Sequence, residues 1–257
     1  MKTSIIGSGN VATHLAKALH HAQVEIRHIW SHQFENAALL AKQVGAKAVH
    51  QISEIANDEN ATESDILLIA VKDDAIAEVA AQLKDYRGLV AHTSGAVPLS
   101  VLSENTNYGV FYPLQTFSKH KALDFDQIPL CLEANTGQNL QHLKTLANRI
   151  SKNDFEVNSE QRKILHLAAV FACNFPNYLY GVAQQLLAQH QLDFEIIRPL
   201  IAETANKVQT ALPMEVQTGP AVRNDEQTLQ KHEDLLKEHS DWLTIYKLLS
   251  EQIKKTR

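Results

Sequence analysis

The sequence predicts an α/β fold, in which an N-terminal doubly wound (Rossmann) parallel sheet is followed by an all-helical C-terminal domain. Short apolar runs alternate with amphipathic stretches over the first half of the chain, and no strand pattern follows residue 159. A glycine-rich turn, GSGNVA, stands at the end of the first apolar run. These observations place an α/β domain at residues 1–154 and a helical domain at residues 155–257.

The strands of the predicted sheet are short, β-branched or continuously apolar runs, as is typical of strands buried on both faces of a parallel sheet. They lie at residues 3–7, 24–31, 65–71, 88–94, 108–112 and 128–134, and a short run, DFEVNS, closes the domain. Amphipathic stretches at 10–22, 33–45, 74–84 and 137–150 predict the helices between them.

The C-terminal part begins with a predicted capping box, in which Asn158 caps a helix and Gln161 reaches back to it. The following segment is apolar on almost all sides, which predicts burial at a domain centre or at a subunit interface. Pro176 predicts a kink near residues 172–175, because proline cannot donate the helical hydrogen bond. Further helices are expected at about 193–210 and 224–254.

The composition of the chain argues against several classes of function. The 257 residues carry a net charge of −5 with scattered Lys and Arg, which argues against a nucleic-acid surface. The two cysteines, Cys131 and Cys173, form no zinc spacing, and no His pair has metal-ligand spacing. No apolar run is long enough for a membrane span or a signal peptide. We expect a cytoplasmic protein without a metal site.

The turn GSGNVA contains the Gly-x-Gly-x-x-(Gly/Ala) fingerprint of dinucleotide-binding proteins, formed by Gly7, Gly9 and Ala12. The first glycine permits the tight turn, the second lets a diphosphate approach the backbone, and the alanine allows close helix–strand packing. The predicted cofactor-binding residues here are Gly7, Ser8, Gly9, Asn10 and Val11. The alternative is a glycine-rich turn that holds no ligand.

The residues after the second strand favour NADP over NAD. NAD sites usually place Asp or Glu there to bind the ribose hydroxyls, whereas this chain has Ser31 and His32. Both side chains can donate hydrogen bonds to a 2′-phosphate. A plain polar loop is the alternative for His32, and NAD stays possible because the usual Arg is missing.

Other candidate site residues follow the later strands, whose carboxyl ends line the same crevice. Val71 and Lys72 follow one strand, and His92, Thr93 and Ser94 end the next, where a nicotinamide is expected; all five are cofactor-binding candidates. The substrate-binding candidates are Gly95, Tyr112 and Gln115. Ordinary loop structure is the alternative for each, and Asp73 is expected to cap the helix that follows it.

The helical domain offers a candidate acid and a candidate anion clamp. His166 and Asn174 share one face of the long helix, so we expect His166 to donate a proton and Asn174 to orient a substrate. Internal hydrogen bonding between helices is the alternative. In TGPAVRND, Arg223 can bind a substrate anion, or the segment can simply start a helix at Asn224 or Asp225.

Several motifs together resemble a bacterial family of Rossmann-like proteins with a helical C-terminal domain, commonly labelled NADP oxidoreductases. The motifs are the first turn, HTSGA, GVFYPLQTF, SEQRKILHLAAVFACNF and TGPAVRND, and the resemblance covers essentially the whole chain. The layout is more distantly similar to pyrroline-5-carboxylate reductase, to deazaflavin-dependent NADP reductases and to β-hydroxyacid dehydrogenases. The resemblance implies a helical domain that builds the substrate site and a homodimer through the C-terminal helices.

The chain departs from these families at two positions. Relatives tend to have Ser-Arg after the second strand, where this chain has Ser31-His32. The β-hydroxyacid dehydrogenases use a lysine on the long helix, and His166 occupies a comparable stretch here. Lysine-based chemistry therefore does not transfer to this protein.

Two hypotheses of different classes follow. The first is an NADP-dependent oxidoreductase that transfers hydride to or from a small polar carbonyl or imine compound, with His166 as the acid. The second is a non-catalytic NADP(H)-binding sensor or scaffold, because the sequence shows no convincing acid–base pair. A flavin-like or methyl-donor ligand is a third possibility, and the missing acid after the second strand disfavours a methyl donor.

Overall fold

The computed structural model describes residues 1–118, 121 and 123–256. The chain divides into two compact units, Met1–Cys173 and Asn174–Arg257. The boundary between these units lies later than the predicted one between residues 154 and 155. The reason lies in the first helix after residue 158, which is attached to the sheet by the buried side chain of Arg162.

The first unit contains an eight-stranded sheet. Its strands are β1 (Thr3–Ile6), β2 (Ile26–Trp30), β3 (Lys47–Val49), β4 (Ile66–Ile69), β5 (Leu89–His92), β6 (Tyr108–Pro113), β7 (Leu130–Ala134) and β8 (Asp154–Glu156). Their spatial order is β3-β2-β1-β4-β5-β6-β7-β8, and the first six strands have the order of a Rossmann sheet. Neighbouring strands are parallel except for β6 and β7, which are antiparallel.

Helices cover both faces of this sheet. They are α1 (Asn10–His21), α2 (Phe34–Val44), α3 (Ser53–Ala56), α4 (Ile76–Ala81), α5 (Gly137–Ala147) and α6 (Ser159–Ala169). The apolar residues of α1, α2 and α5 pack into the core on one face, and those of α3 and α4 pack on the other face. The predicted α/β class is therefore confirmed.

The strands are buried on both faces because their side chains alternate between two cores. In β4, Ile66 and Leu68 belong to the core on the α1 side, and Leu67 and Ile69 belong to the opposite core. All four side chains are fully buried. This is why the strand appears in the sequence as an unbroken apolar run rather than as an alternating pattern.

The sequence did not reveal β3 and α3, which have three and four residues. Elements this short have no measurable periodicity. The antiparallel direction of β7 was also not predicted. The predicted strands of the first unit are all present, with ends that differ by at most three residues.

The long helical segment starts as predicted. Asn158 accepts a hydrogen bond from the Gln161 backbone N–H at 2.9 Å, and the Gln161 side chain accepts one from the Asn158 N–H at 3.1 Å. After α6 the chain forms a π-helical turn at Val170–Asn174, where the sequence predicted a kink. Pro176 follows and offers no N–H to the carbonyl of Ala172, so the regular α-helical pattern cannot continue there.

The regular secondary structure in the described residues of the second unit is helical. It consists of α7 (Phe175–Gln189), α8 (Arg198–Lys207), α9 (Glu226–Leu235) and α10 (Ser240–Lys255), with a short 3₁₀ helix at Phe194–Ile197. The single helix expected at 224–254 was wrong, because two helices stand there. They are separated at His239, whose backbone leaves the helical region, with φ −124° and ψ 70°.

Candidate functional site

A cavity of about 1050 Å³ lies at the carboxyl ends of the strands in the first unit. It includes the place between β1 and β4 where the strand order reverses, which is the usual ligand crevice of an open α/β sheet. Most of the candidate residues from the sequence line it. They are Gly7, Ser8, Gly9, Asn10, Val11, Ser31, His32, Val71, Lys72, Thr93, Ser94, Gly95, Tyr112, Gln115 and His166.

The glycine turn has the geometry that a diphosphate site requires. Gly7 has φ +130°, and a Cβ added there would lie 2.2 Å from the carbonyl oxygen of Ala70, so only glycine fits. A Cβ added to Gly9 would have no other atom within 4 Å. Gly9 is also the N-cap of α1 and supplies no side-chain cap. The first residues of α1, Asn10 and Val11, line the cavity, where an anion can bind the N–H groups at the start of the helix.

The end of β2 carries hydroxyl and imidazole groups instead of a carboxylate. The hydroxyl of Ser31 forms a 2.7 Å hydrogen bond with that of Ser8, which ties the end of β2 to the glycine turn. His32 is exposed and lines the cavity. Neither position offers a carboxylate for the 2′-hydroxyl of an NAD ribose.

His50 was missed by sequence reasoning, because it follows the short strand β3. Trp30 of β2 pairs with Val49 of β3, so the same register continues to Ser31 and His50. The imidazole stacks on Phe34 with ring centroids 3.7 Å apart. The His50 carbonyl accepts a 3.2 Å hydrogen bond from the indole N–H of Trp30. His50 lines the cavity with the residues that follow it.

The segment after β4 forms a 3₁₀ helix at Asp73–Ala75, which is followed by α4. Asp73 accepts no capping hydrogen bond at the start of either helix, so its predicted capping role was wrong. It lies within the 3₁₀ helix itself. Further cavity-lining residues that the sequence did not single out are Ile52, Glu78, Val79, Gln82, Pro113 and Phe117.

Tyr112 and His166 form a hydrogen-bonded pair in the cavity wall. The Tyr112 Oη lies 3.0 Å from His166 Nδ1. Both side chains crowd Gly95, where an added Cβ would lie 2.7 Å from His166 Nδ1 and 2.7 Å from Tyr112 Cζ. Burial raises the pKa of Tyr112 to about 12, so the phenol keeps its proton at neutral pH. Sequence reasoning found both residues but not their contact.

The segment HTSGA is divided between the cavity and the core. Thr93 and Ser94 line the cavity, but their hydroxyls also hold local structure. Thr93 donates to the Ile69 carbonyl at 3.2 Å, and Ser94 Oγ accepts from the Val97 backbone N–H at 3.0 Å. His92 is fully buried and is not among the residues that line the cavity. The structure therefore does not place His92 where it would touch a cofactor.

The imidazole of His92 belongs to the interior of the unit. Its Nδ1 accepts a hydrogen bond from the Ser94 backbone N–H at 3.2 Å. Burial, with a smaller contribution from the Arg162 charge, lowers the pKa of His92 to about 4. The ring is therefore neutral at physiological pH.

The segment after β6 is attached to α1 near the glycine turn. The Asn10 side chain donates to the Phe117 carbonyl at 2.9 Å, and His14 Nε2 lies 2.9 Å from the Ser118 carbonyl oxygen. Gln115 uses its side-chain oxygen to accept from the Thr116 backbone N–H at 2.7 Å. These contacts hold Phe117 in the cavity wall.

Two candidates, Asn174 and Arg223, lie in the second unit. Asn174 is the exposed last residue of the π-helical turn. Arg223 is exposed in the segment before α9. Asp225 caps that helix by accepting hydrogen bonds from the backbone and the hydroxyl of Thr228, so the helix-start interpretation of this segment is confirmed. The anion-clamp role of Arg223 stays a prediction.

The comparisons with known proteins agree with this geometry. Residues 2–91 match the family described as NADP oxidoreductase coenzyme F420-dependent, and residues 128–253 match a domain of unknown function, DUF2520. No curated protein matches the chain. No helix in the described residues has the length and hydropathy of a membrane span.

Solved structures resemble the whole chain. A "putative NADP oxidoreductase" from Bacteroides fragilis is 38% identical, with a TM-score of 0.89, and the match covers 99% of this chain and 98% of that one. A 1-pyrroline-5-carboxylate reductase from Streptococcus pyogenes shares the fold at 13% identity, with a TM-score of 0.66 and coverage of 99% and 98%. An imine reductase from Myxococcus stipitatus in complex with NAD+ also shares the fold, at 15% identity and with a TM-score of 0.62. That match covers 99% of this chain and 94% of the reductase.

The fold and the glycine turn define a Rossmann-type protein of the pyridine nucleotide-binding oxidoreductase class. The chain belongs to the NADP oxidoreductase family in which an F420-dependent-type Rossmann domain precedes a DUF2520 domain. The resemblance that the sequence motifs indicated is thereby confirmed.

Proposed function

We propose that this protein is an NADP-dependent oxidoreductase that transfers hydride between the nicotinamide and a small polar carbonyl or imine compound. One observation carries the proposal. The glycine turn and the hydrogen-bonded pair of Tyr112 and His166 line the same cavity. A dinucleotide site and a group that can move a proton therefore face one space.

The cofactor fits the residues at the glycine turn and at the end of β2. The first N–H groups of α1 would bind its diphosphate next to Gly9. Ser31 and His32 offer donors to a 2′-phosphate, and no carboxylate stands at those two positions to favour NAD. Bound NADPH supplies the hydride; all other steps fall to groups of the protein and the substrate.

His166 supplies the proton in the proposed reaction. An imidazole is the side chain that ordinarily changes charge near neutral pH, which suits a general acid. When His166 is protonated, its Nδ1–H donates to the Tyr112 oxygen, which leaves Nε2–H to protonate the substrate heteroatom. After Nε2 has given up its proton, Nδ1 keeps its own and still donates to the Tyr112 oxygen, so the pair stays bonded in both states.

The candidates outside this pair have supporting roles. Gly95, Tyr112 and Gln115 line the cavity and would bound the substrate, and Thr93 and Ser94 would bound the nicotinamide. The sequence supports a substrate role for Asn174, which shares a helix face with His166, and for Arg223, whose guanidinium can bind an anion. We propose both as substrate-binding residues.

The second unit supports a homodimer through the C-terminal helices. Among its described residues, the buried hydrophobic side chains are those of Ala221, Leu229 and Leu236. None of the residues of α7, α8 or α10 is buried in the single chain. Large apolar side chains stand exposed instead, including Leu200 at 65% and Leu212 at 67%. We propose that a second copy of this chain buries these side chains, since exposed apolar surface often marks a protein–protein contact.

The enzymatic proposal is tested by stopped-flow oxidation of bound NADPH with a panel of small carbonyl and imine compounds. We expect hydride transfer to at least one compound, and we expect His166→Gln to slow it by about 10²-fold or more while the Kd for NADPH stays unchanged. Saturable NADPH binding without any transfer would instead favour the sensor or scaffold alternative. An unchanged rate in His166→Gln would remove His166 from the mechanism.

The dimer is tested by light scattering after gel filtration. We expect twice the mass of the chain, and we expect Leu200→Glu to shift the protein toward the monomer. Gln82→Glu, a change in the first unit, serves as the charge control. A wild-type protein that runs as a monomer at micromolar concentration would contradict the dimer.

A further inference from the structure

We propose that His50 completes a two-histidine site for the 2′-phosphate of NADP, and that preference for NADP over NAD therefore weakens as pH rises. This inference rests on the proposed NADP function and deepens it. It adds a residue after β3 to the predicted pair Ser31 and His32. It also assigns the charge of the site to imidazoles, where Arg is the more usual group.

The backbone register brings His50 to the end of β2. Trp30 and Val49 are paired on neighbouring parallel strands, so Ser31 and His50 are the next residues on each. Both line the cavity together with His32. The place where a ribose 2′-substituent is recognised therefore has one imidazole from each of two adjacent strand ends.

His50 is held in place rather than loosely exposed. Its ring stacks on Phe34 with an interplanar angle of 11°. Its carbonyl accepts the indole N–H of Trp30, and its backbone N–H donates to Glu54 Oε1 at 2.9 Å. One contact thus holds the ring and two hold the backbone of His50, and a side chain held in this way loses less freedom on binding a ligand.

Few side chains in the cavity wall carry a permanent positive charge. Among the described residues that line it, Lys72 is the one Lys or Arg, and it follows β4 rather than β2. Ser31 already shares its hydroxyl with Ser8 at 2.7 Å. The additional negative charge that distinguishes NADP from NAD would therefore be met at the β2 and β3 ends by the two histidines.

Other charged groups lie on the elements next to the two histidines or line the same cavity. Glu35 follows Phe34 on α2, and Glu54 on α3 lies with Oε2 3.7 Å from the Lys47 ammonium of β3. Backbone hydrogen bonds from Gln51 and His50, with smaller contributions from nearby positive charge, lower the pKa of Glu54. Lys72, Asp73 and Glu78 line the cavity from the β4 side.

The direction of the pH effect follows from the charges. A phosphate monoester gains its second negative charge near pH 6, whereas imidazoles lose their positive charge over about the same range. Above neutral pH the phosphate monoester therefore keeps its full negative charge. A hydrogen bond from an imidazole to the phosphate is charge-assisted in either state, but a positive imidazole adds a Coulomb attraction that a neutral one lacks, so affinity for NADPH falls relative to NADH as imidazole charge is lost.

The test is fluorescence titration of NADPH and NADH against the full-length protein from about pH 6 to about pH 8, at constant ionic strength and without phosphate buffer. We expect NADPH to bind at least about tenfold more tightly than NADH at the acidic end, and the ratio to fall about fivefold to tenfold at the basic end. NADH has no 2′-phosphate, so its Kd reports the integrity of the remaining site.

Three variants test whether the two histidines cause the pH-dependent preference for NADPH. His50→Gln and His32→Gln should each lower the NADPH/NADH preference at about pH 6 and flatten its pH dependence, with the Kd for NADH unchanged. His32→Arg should retain the preference at about pH 8, because arginine stays charged. His20→Gln, on the exposed last turn of α1, is the matched control and should behave as wild type.

The outcomes separate this inference from the proposed function. If neither nucleotide binds, the proposed function fails. If NADPH is preferred equally at every pH, or if His50→Gln leaves both preference and slope unchanged while NADH still binds, the two-histidine site is wrong and NADP binding stands.

Discussion

The guanidinium of Arg162 and the carboxylate of Glu133 form an ion pair that joins α6 to β7. Arg162 is fully buried and also donates to the Val97 carbonyl at 2.7 Å. Ser159 adds a 2.9 Å hydrogen bond to the same carboxylate from the first turn of α6. Because His166 lies one turn after Arg162 on this helix, the ion pair also fixes the helix that carries the proposed acid.

Arg162→Met should destabilise the protein strongly, because it leaves the Glu133 carboxylate without its buried partner. Removing one member of a buried ion pair typically costs about 3–5 kcal/mol. Denaturant unfolding measures the loss. Lys163→Met is the control, because Lys163 pairs with Glu160 at the surface and such pairs contribute about 1 kcal/mol or less. Similar losses in the free energy of unfolding for the two variants would show that the buried ion pair contributes no more to stability than the surface pair.

The two glycines of the turn should respond differently to alanine. Gly7→Ala puts a Cβ against the Ala70 carbonyl at a positive φ, so we expect a loss of stability of about 2 kcal/mol or more. Gly9→Ala places its methyl in open space and should change stability by less than about 1 kcal/mol. It should nevertheless weaken NADPH binding at least about tenfold, because the methyl occupies the approach of the diphosphate.

Thermal melting and nucleotide titration together check both variants. A Gly9→Ala protein that melts like wild type and binds NADPH with the wild-type Kd would contradict the diphosphate site at this turn.

Tyr112→Phe should leave the fold and the Kd for NADPH intact and lower the rate of hydride transfer by about tenfold to 10²-fold. The phenyl ring keeps the packing, while His166 loses the hydrogen bond that orients it. The rate should also shift its pH dependence, which a purely structural role for Tyr112 does not explain. The measurement is the pH profile of single-turnover NADPH oxidation, and an unaltered profile would count against the pair.

Gly95→Ala tests the crowding at the same place. A methyl group there would lie 2.7 Å from both His166 Nδ1 and Tyr112 Cζ, so the pair must separate. We expect turnover to fall at least as far as in Tyr112→Phe. The distance between the two side chains in a crystal structure of the variant checks the cause, and a pair still at hydrogen-bond distance would refute it.

The buried His92 should make stability depend on pH in a definite window. Its pKa in the folded protein is about 4, below the 6.5 of a free imidazole, so the unfolded chain binds the proton more readily between these values. The contribution is complete above about pH 6.5 and is lost as pH falls toward 4, a difference of about 3 kcal/mol.

His92→Asn removes the titrating group and keeps an oxygen that can accept the Ser94 N–H. The free energy of unfolding of this variant should therefore fall less steeply than that of wild type between about pH 6.5 and pH 4. Parallel curves for the two proteins would show that His92 does not titrate differently on unfolding.

The sequence by itself determined most strands of the sheet, the glycine turn and the start of α6. Strands such as Ile66–Ile69 are recognisable because burial on both faces requires an unbroken apolar run. Gly7 is recognisable because the backbone geometry of the turn admits no side chain. The Asn158 cap is recognisable because its partner lies three residues away. In each case the physical cause acts within a few neighbouring residues.

Only the tertiary structure decided which polar residues meet. Tyr112 and His166 are 54 positions apart and touch because β6 and α6 belong to the same unit. His50 reaches the end of β2 through the pairing of a three-residue strand that has no detectable pattern. His92 is the last residue of β5, directly before Thr93 and Ser94, yet its side chain is buried in the interior. Contacts between distant residues depend on packing, which no local pattern records.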